Sequence, residues 1–586
     1  AILAQTATFR WAFRPTPPVT PFEGMGGPDE ASGVVPFADR LEMQHHLFAE
    51  LSQMFATEVP LYSKSLEVNR VSNRAAADLL SLKFAGFELS DDRLGQVSGE
   101  RHGAIRIGTA EEYRWVGRFF RVFAMEPHGF YDMTDLGAKS QPIIATAFRS
   151  SQQPEHRMFT SLLRTDYFDE ATRSRIEAQL AKRQVVSDRA RQLIEKSEQY
   201  GGLSWVDAKE LIREAAQHIF KWTGRGWNQQ LYDDLCKAGF KIAADVACFE
   251  THHLNHLTPN TFCMDLYTAS MKFCLREIDA AAFRSRATEA LQQLQLAADC
   301  HLMQLLFRHI TWQDIETYSL SEPSTQCLDE LVDGLALALS EPAFALHEMN
   351  HMGFKDHTEG PPASVPVLLR QDAYKALPEN AEFEGEDSEC SPATHTARFG
   401  EIEQRFYATT AAGRALYDRC LSNATAAQAS ASDPSSAARA YVEAFSQFPT
   451  TLEGLSEQGL VHCRYEPTLS GLAARGSIER ADVNTLVLRG FVHREGQRYE
   501  DFLPFSAAGI FASNLKQYGT ECTAVQKPQY TQATLEDVLN QRIIDPIATC
   551  REVERSSLQE TYDKLGLKDQ LPSNVSVYGE SPVAGG

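Results

Sequence analysis

Three short stretches of this chain carry metal-ligating residue types at positions where a buried strand normally presents valine or isoleucine. In Glu100-Arg101-His102-Gly103-Ala104-Ile105-Arg106-Ile107-Gly108-Thr109, the two-residue period of a strand puts His102, Ala104 and Arg106 on one face and Ile105 and Ile107 on the other. A neutral imidazole is a good ligand for iron or zinc. An arginine two strand steps away can grip a carboxylate with a bidentate fork. The competing reading is a core histidine bonded to backbone plus a surface arginine. In Thr251-His252-His253-Leu254-Asn255-His256-Leu257-Thr258-Pro259, three histidines crowd into five positions and Pro259 marks the end of regular structure. On a strand His252 and His256 face one way and His253 the other, so spacing does not choose a ligand among them. Phe399-Gly400-Glu401-Ile402-Glu403-Gln404-Arg405 places Phe399, Glu401, Glu403 and Arg405 on one face, which is costly to bury without a cation or an ion pair. Glu401 can then bind a metal while Glu403 pairs with Arg405; an exposed edge strand of mixed charge is the alternative. Two histidines and a carboxylate from separate strands form the facial triad that holds ferrous iron, with three positions left for a bidentate substrate and dioxygen.

A competing motif is His347-Glu348-Met349-Asn350-His351, a literal H-E-x-x-H. On a helix it sets two zinc ligands one turn apart with Glu348 as general base, the pattern of a metalloprotease. Pro342 upstream and Gly353 downstream leave little room for the continuous helix this requires.

The elements that must position these residues are read from periodicity. Pro15 to Gly33 is an irregular lead-in, and a helical rhythm runs from Phe37 to Phe55. Asp188 to Tyr200 and Asp207 to Trp222 read as a helical hairpin interrupted at Gly201 and Gly202. From Phe283 to Ile310 the spacing of Ala287, Leu291, Leu294, Ala298, Leu302 and Leu305 predicts one buried helical stripe. The acidic run Glu379 to Glu389 reads as a solvated loop, and Asn423 to Ala440 as a linker or exposed helix. The resulting division is a lead-in over 1–36, a catalytic body over 37–263 and 360–570, a mostly helical insertion over 264–359, and a tail over 571–586.

The 586 residues are 43% hydrophobic and 23% charged, which fits a folded globular chain. The formal charge of −22, without a basic face, argues against nucleic acid as a partner. Eleven scattered cysteines without a C-x-x-C pair argue against a disulfide framework or a cysteine zinc site and favour a reducing compartment. The cytoplasm is the first expectation. A plastid or mitochondrial matrix is the alternative, because the first 22 residues carry Arg10 and Arg14 but no acid. No apolar run reaches the roughly 18 residues of a membrane span.

Several of these segments, with Phe159-Thr160-Ser161-Leu162-Leu163-Arg164, Leu368-Leu369-Arg370-Gln371, His395-Thr396-Ala397-Arg398, Tyr499-Glu500-Asp501-Phe502-Leu503-Pro504 and Ser506-Ala507-Ala508-Gly509-Ile510-Phe511, resemble the 2-oxoadipate dioxygenase/decarboxylase family. The likeness runs from about Leu51 to Phe262 and from about Gly360 to Tyr518. It implies an α+β vicinal oxygen chelate fold, in which curved sheets of βαβββ units enclose a metal, here with extensive helical elaborations. The family's metal ligands fall on His102, His256 and Glu401, and its substrate-carboxylate arginine on Arg106. Glu401 is preferred to Glu403 because Phe-x-Glu-Ile is similar to the last metal strand of hydroxyphenylpyruvate dioxygenases. Further substrate contacts fall on Phe505, where a smaller valine is expected, and Ser506. The resemblance implies Fe(II), and conversion of 2-oxoadipate or a similar anionic 2-oxo acid with O2 to 2-hydroxyglutarate and CO2, as in lysine catabolism. The implied partners are a small 2-oxo diacid and O2, with neither nucleic acid nor membrane; the 264–359 insertion is a candidate surface for oligomerisation, pocket covering or substrate choice. A non-catalytic metal- or ligand-binding protein of the same fold is the alternative to an enzyme.

Overall fold

Residues 100–107 alternate between two environments, and that alternation builds the central sheet. The computed structural model describes residues 36–134, 140–152, 156–384, 390–479, 481–503 and 529–567. Strand β1 (Glu100–Ile107) sends Ile105 and Ile107 into the larger apolar core, while Ala104 belongs to a second core with Phe159 and Phe502. Thr109 stops the strand and starts the helix Ala110–Val122 through a capping box: its hydroxyl accepts from Glu112 N–H, and the Glu112 carboxylate accepts from Thr109 N–H, both at 3.1 Å. The helix buries Tyr113, Val116, Phe119 and Phe120 and returns the chain for strands β2 (Glu126–Asp132), β3 (Ile143–Arg149) and β4 (Arg157–Leu163). Strand β4 is parallel to β1, with Ala104 opposite Phe159. Such a pairing needs a crossover, which the helix and the β2–β3 hairpin supply. The result is a strand-helix-strand-strand-strand unit, the βαβββ motif expected for a vicinal oxygen chelate fold.

Strand β5 (Leu254–Pro259) covers the other edge of β1, giving the sheet order β2-β3-β4-β1-β5. It pairs antiparallel, with His102 opposite Thr258 and Ala104 opposite His256. Strands β6 (Leu369–Tyr374) and β9 (Gly400–Arg405) form a further antiparallel pair, with Glu401 opposite Ala373. Strand β9 lies against β5 through a parallel bridge between Asn260 and Glu403, and Thr261 N–H donates to the Glu403 carbonyl at 2.8 Å. The three polar stretches are therefore neighbours, in the order β1, β5, β9.

Between β6 and β9 lies the hairpin β7 (Glu379–Glu384) with β8 (Cys390–His395). This corrects the expectation of a solvated loop over 379–384; residues 385–389 of that run lie outside the described residues. Alternation explains it: Ala381 and Phe383 face the core while Glu382 and Glu384 are exposed. Buried Arg398 anchors the hairpin by pairing with Glu379.

The predicted stripe from Phe283 to Ile310 is two helices, Ala280–Ala297 and Cys300–Leu306. Asp299 interrupts it because its carboxylate caps the second helix by accepting from Leu302 N–H at 2.7 Å. The stripe residues remain buried, with Ala298 in the break between the two helices. With Met264–Cys274 and Thr325–Leu339, the helix Ala280–Ala297 forms a layer against the helix Pro60–Lys83, joined by a Ser72–Ser270 hydrogen bond of 3.0 Å. The hairpin over 188–222 comprises helices Asp188–Tyr200 and Trp205–Glu214 continued by a π turn, and Gly201 supplies the left-handed stop at φ 84°. Asn423 to Ala440 falls on two helices, Ala411–Ala429 and Pro434–Ala444. Among the described residues no helix is long and apolar enough to cross a membrane.

Candidate metal centre

Paired residues of adjacent strands share a face, so the register that sets His102 opposite Thr258 also brings His256, two residues back on β5, beside His102. Glu401 arrives from the other side of β5 on β9. The three side chains are buried, and each offers a ligand atom within 4.8 Å of the others. Glu401 Oε2 lies 2.9 Å from His102 Nε2 and 3.4 Å from His256 Nδ1.

The surrounding groups fix which nitrogens face this point. Glu403 Oε2 is 2.7 Å from His102 Nδ1 and accepts its N–H hydrogen bond, so Nε2 is the nitrogen turned to Glu401. The Thr258 hydroxyl donates to Glu401 Oε2 at 3.0 Å, so its oxygen accepts from His256 Nδ1–H, also at 3.0 Å. This fixes the second imidazole with its proton on Nδ1 and its lone pair on Nε2. Phe399 stacks on His256 with ring centroids 4.7 Å apart, and Phe502 packs edge-on against His102 at 4.8 Å.

Glu401 and Glu403 share a face, as alternation requires, but their charges are handled differently. Glu403 receives Arg405 at 2.7 and 2.9 Å and Arg157 at 3.4 Å; Arg157 in turn pairs with Glu500. Burial opposes its ionisation, yet Arg405 and His102 hold the carboxyl well below the usual range. Among the described residues no arginine bonds to Glu401, and its buried Oε1 has no hydrogen-bond partner. Burial pushes its carboxyl up, and the His256 and His102 imidazoles outweigh that and hold it below the ordinary value. A buried carboxylate that faces two imidazoles through Oε2 and has its Oε1 without a hydrogen-bond partner among the described residues offers the donor set of a divalent cation. The residues fit a metal.

Arg106 sits two residues beyond Ala104 and is 6% exposed, with Nη1 2.6 Å from Asp245 Oδ2. Phe505 and Ser506 lie outside the described residues.

His252 and His256 do not share an environment as simple alternation predicts. The strand begins only at Leu254, and His253 has a left-handed backbone (φ 32°) that breaks the period. His252 turns to Glu112 at 3.3 Å and His253 to Asp245 at 3.0 Å. The H-E-x-x-H run is not a helix either. Leu346–Glu348 is a single 3-10 turn, Met349 is extended (ψ 165°), and Glu348 is largely exposed, so His347 and His351 do not present one face. What sequence reasoning missed is Asp245. It lies on the helix Lys241–Cys248 between Ala244 and Val246, and its only sequence signal is a charge inside an apolar run.

The family model for 2-oxoadipate dioxygenase/decarboxylase matches residues 47–288 and 342–514. The chain belongs to this family. The gap in the match falls inside the helical layer. A curated 2-oxoadipate dioxygenase/decarboxylase of Pseudomonas putida is 34% identical over 541 residues, covering 89% of this chain and 96% of the relative. The Escherichia coli protein of the same name is 32% identical over 88% of this chain and 97% of its own length. Among solved structures, the P. putida hydroxyglutarate synthase in complex with 2-oxoadipate superposes with a TM-score of 0.63 at 31% identity, covering 91% of this chain and 99% of that one.

Proposed function

We propose that this member of the 2-oxoadipate dioxygenase/decarboxylase family is an Fe(II)-dependent enzyme that converts 2-oxoadipate and O2 to 2-hydroxyglutarate and CO2. The observation that carries the reading is the buried His102–His256–Glu401 cluster on three adjoining strands, with the orphaned oxygen of Glu401. The activities named for the P. putida and E. coli relatives supply the substrate. Iron held by the three side chains would supply a Lewis-acidic, oxygen-activating centre for a 2-oxo acid and O2.

The chain's own residues do the rest. Glu403 and Thr258 hold the two imidazoles in the ligating tautomer. Phe399 and Phe502 exclude water from the ligand cluster, which strengthens every charge interaction inside it. Arg106, on the same strand face as His102, is the cation for the distal carboxylate of a diacid, and Asp245 orients its guanidinium. Phe505 and Ser506 are proposed to complete the substrate contacts. Residues 264–359 are an insertion in a catalytic body formed by 37–263 and 360–570.

The reaction balances without a further reductant. The carboxylate beside the keto group leaves as CO2, one atom of dioxygen enters the new carboxylate, and the other becomes the hydroxyl group, so both are retained in the hydroxy acid. The test is anaerobic loading with Fe(II) followed by 2-oxoadipate under 18O2. Stoichiometric O2 uptake and doubly labelled 2-hydroxyglutarate are expected. Iron binding without O2 uptake would make the chain a binding protein instead.

A further inference from the structure

A second buried cluster lies beside the first. Asp245 on the helix Lys241–Cys248, His253 before β5, and His395 at the end of β8 each offer a ligand atom within 4.8 Å of the others. Asp245 Oδ1 is 3.0 Å from His253 Nε2 and 2.8 Å from His395 Nε2, and all three side chains are at most 1% exposed. Yet among the described residues none of these three atoms has a partner in hydrogen-bond geometry. They meet at contact distance with the carboxylate oxygen off the ring N–H directions.

Every other polar atom of the three is anchored. Asp245 Oδ2 accepts from Arg106 at 2.6 Å and Asn255 at 3.4 Å. His253 Nδ1 is 3.4 Å from the Thr251 carbonyl, which can only accept, so the proton sits on Nδ1 and the Nε2 lone pair faces the carboxylate. His395 Nδ1 is 3.1 Å from the Tyr232 hydroxyl. Imidazoles held at one nitrogen and directed by the other toward a carboxylate oxygen are the arrangement of metal-ligating histidines. Protonating both rings instead would set two imidazolium ions and Arg106 around one carboxylate, while Trp222 stacks on His395 and Phe249 packs against it; a net positive charge in that apolar surround is expensive. Ligands about 2.1 Å from one ion stand about 3.0 Å apart at right angles and about 3.4 Å at the tetrahedral angle, close to the spacings seen. The left-handed backbone of His253 is the local strain that functional sites retain.

The geometry points to a second metal site, formed by Asp245, His253 and His395, for a divalent first-row transition ion such as Zn2+. An ion there takes up the Asp245 charge that Arg106 otherwise neutralises, so the guanidinium keeps positive charge for a substrate carboxylate; this last consequence rests on the role of Arg106 proposed above.

The test is metal counting on the full chain after chelator stripping and reloading with Zn2+. A His102→Ala/Glu401→Ala variant, which lacks the first site, is expected to retain one ion per chain, and adding His395→Ala or His253→Gln is expected to remove it. In the same double variant, Zn2+ is expected to raise the melting temperature by several degrees, a readout that needs no change in the second cluster. Absence of the ion and of the thermal shift in that variant, or persistence of the ion with His395→Ala, overturns the proposal. Failure of the first site alone reads differently: wild type then holds one ion, kept in His102→Ala/Glu401→Ala and lost in His395→Ala.

Discussion

Glu403→Gln separates the charge of Glu403 from its shape. The carboxylate is fully buried and accepts from His102 Nδ1 at 2.7 Å. Outer partners of ligating histidines typically contribute 10- to 100-fold in metal affinity, or about 1.4 to 2.7 kcal/mol. The amide keeps the shape and an acceptor but loses the charge-assisted bond, so Fe(II) or Mn(II) binding by anaerobic titration is expected to weaken by roughly that factor. Stability falls too, because Arg405 and Arg157 then face a neutral group. Breaking a buried pair costs about 3 to 5 kcal/mol, and the lower end is expected here. Arg405 keeps the carbonyls of Tyr499 and Asp501 at 3.0 and 2.7 Å, and Arg157 keeps Glu500. Glu403→Asp distinguishes the two effects: it retains the charge for the arginines but withdraws the oxygen from His102, so denaturant midpoints should recover while metal affinity stays low. Unchanged metal affinity in both variants would refute His102 as a ligand.

Arg106→Ala removes a charge-assisted contact of about 1.5 to 3 kcal/mol, so KM for 2-oxoadipate should rise by roughly 10- to 150-fold, with a smaller change for 2-oxohexanoate, which lacks the distal carboxylate; an unchanged KM removes Arg106 from the site. Gly400→Ala would drive a methyl group into the buried Tyr374 ring. Overpacking of this kind costs about 1 to 3 kcal/mol, and since Glu401 is the next residue, metal affinity should fall together with the melting temperature; a variant with both unaltered contradicts the β6–β9 packing. Asp78, beside Arg74 at 3.8 Å, is pushed by burial up to about 6. The folded chain therefore holds a proton that the unfolded chain releases near pH 4, and stability declines as pH rises from about 4 to 6 and stays reduced above. Asp78→Asn should raise the melting temperature at pH 7.5 and change it little at pH 4; equal effects at both pH values would count against this.

The sequence by itself determined the three polar strands, since a two-residue period places His102 with Arg106, and Glu401 with Glu403, whatever the neighbours are. It also showed why the H-E-x-x-H run cannot continue as a helix, because Pro342 and Gly353 act on the backbone locally. Only the tertiary structure decided which histidine joins His102, because a left-handed residue at 253 resets the alternation before β5. The pairing of Glu403 with Arg405 is legible on the strand itself, but only the tertiary structure brings Arg157 and His102, hundreds of residues away in sequence, to that carboxylate and leaves Glu401 facing two imidazoles. Asp245 was invisible for the same reason. A charge in an apolar helix acquires meaning only when strands distant in the chain bring Arg106, His253 and His395 to its two oxygens.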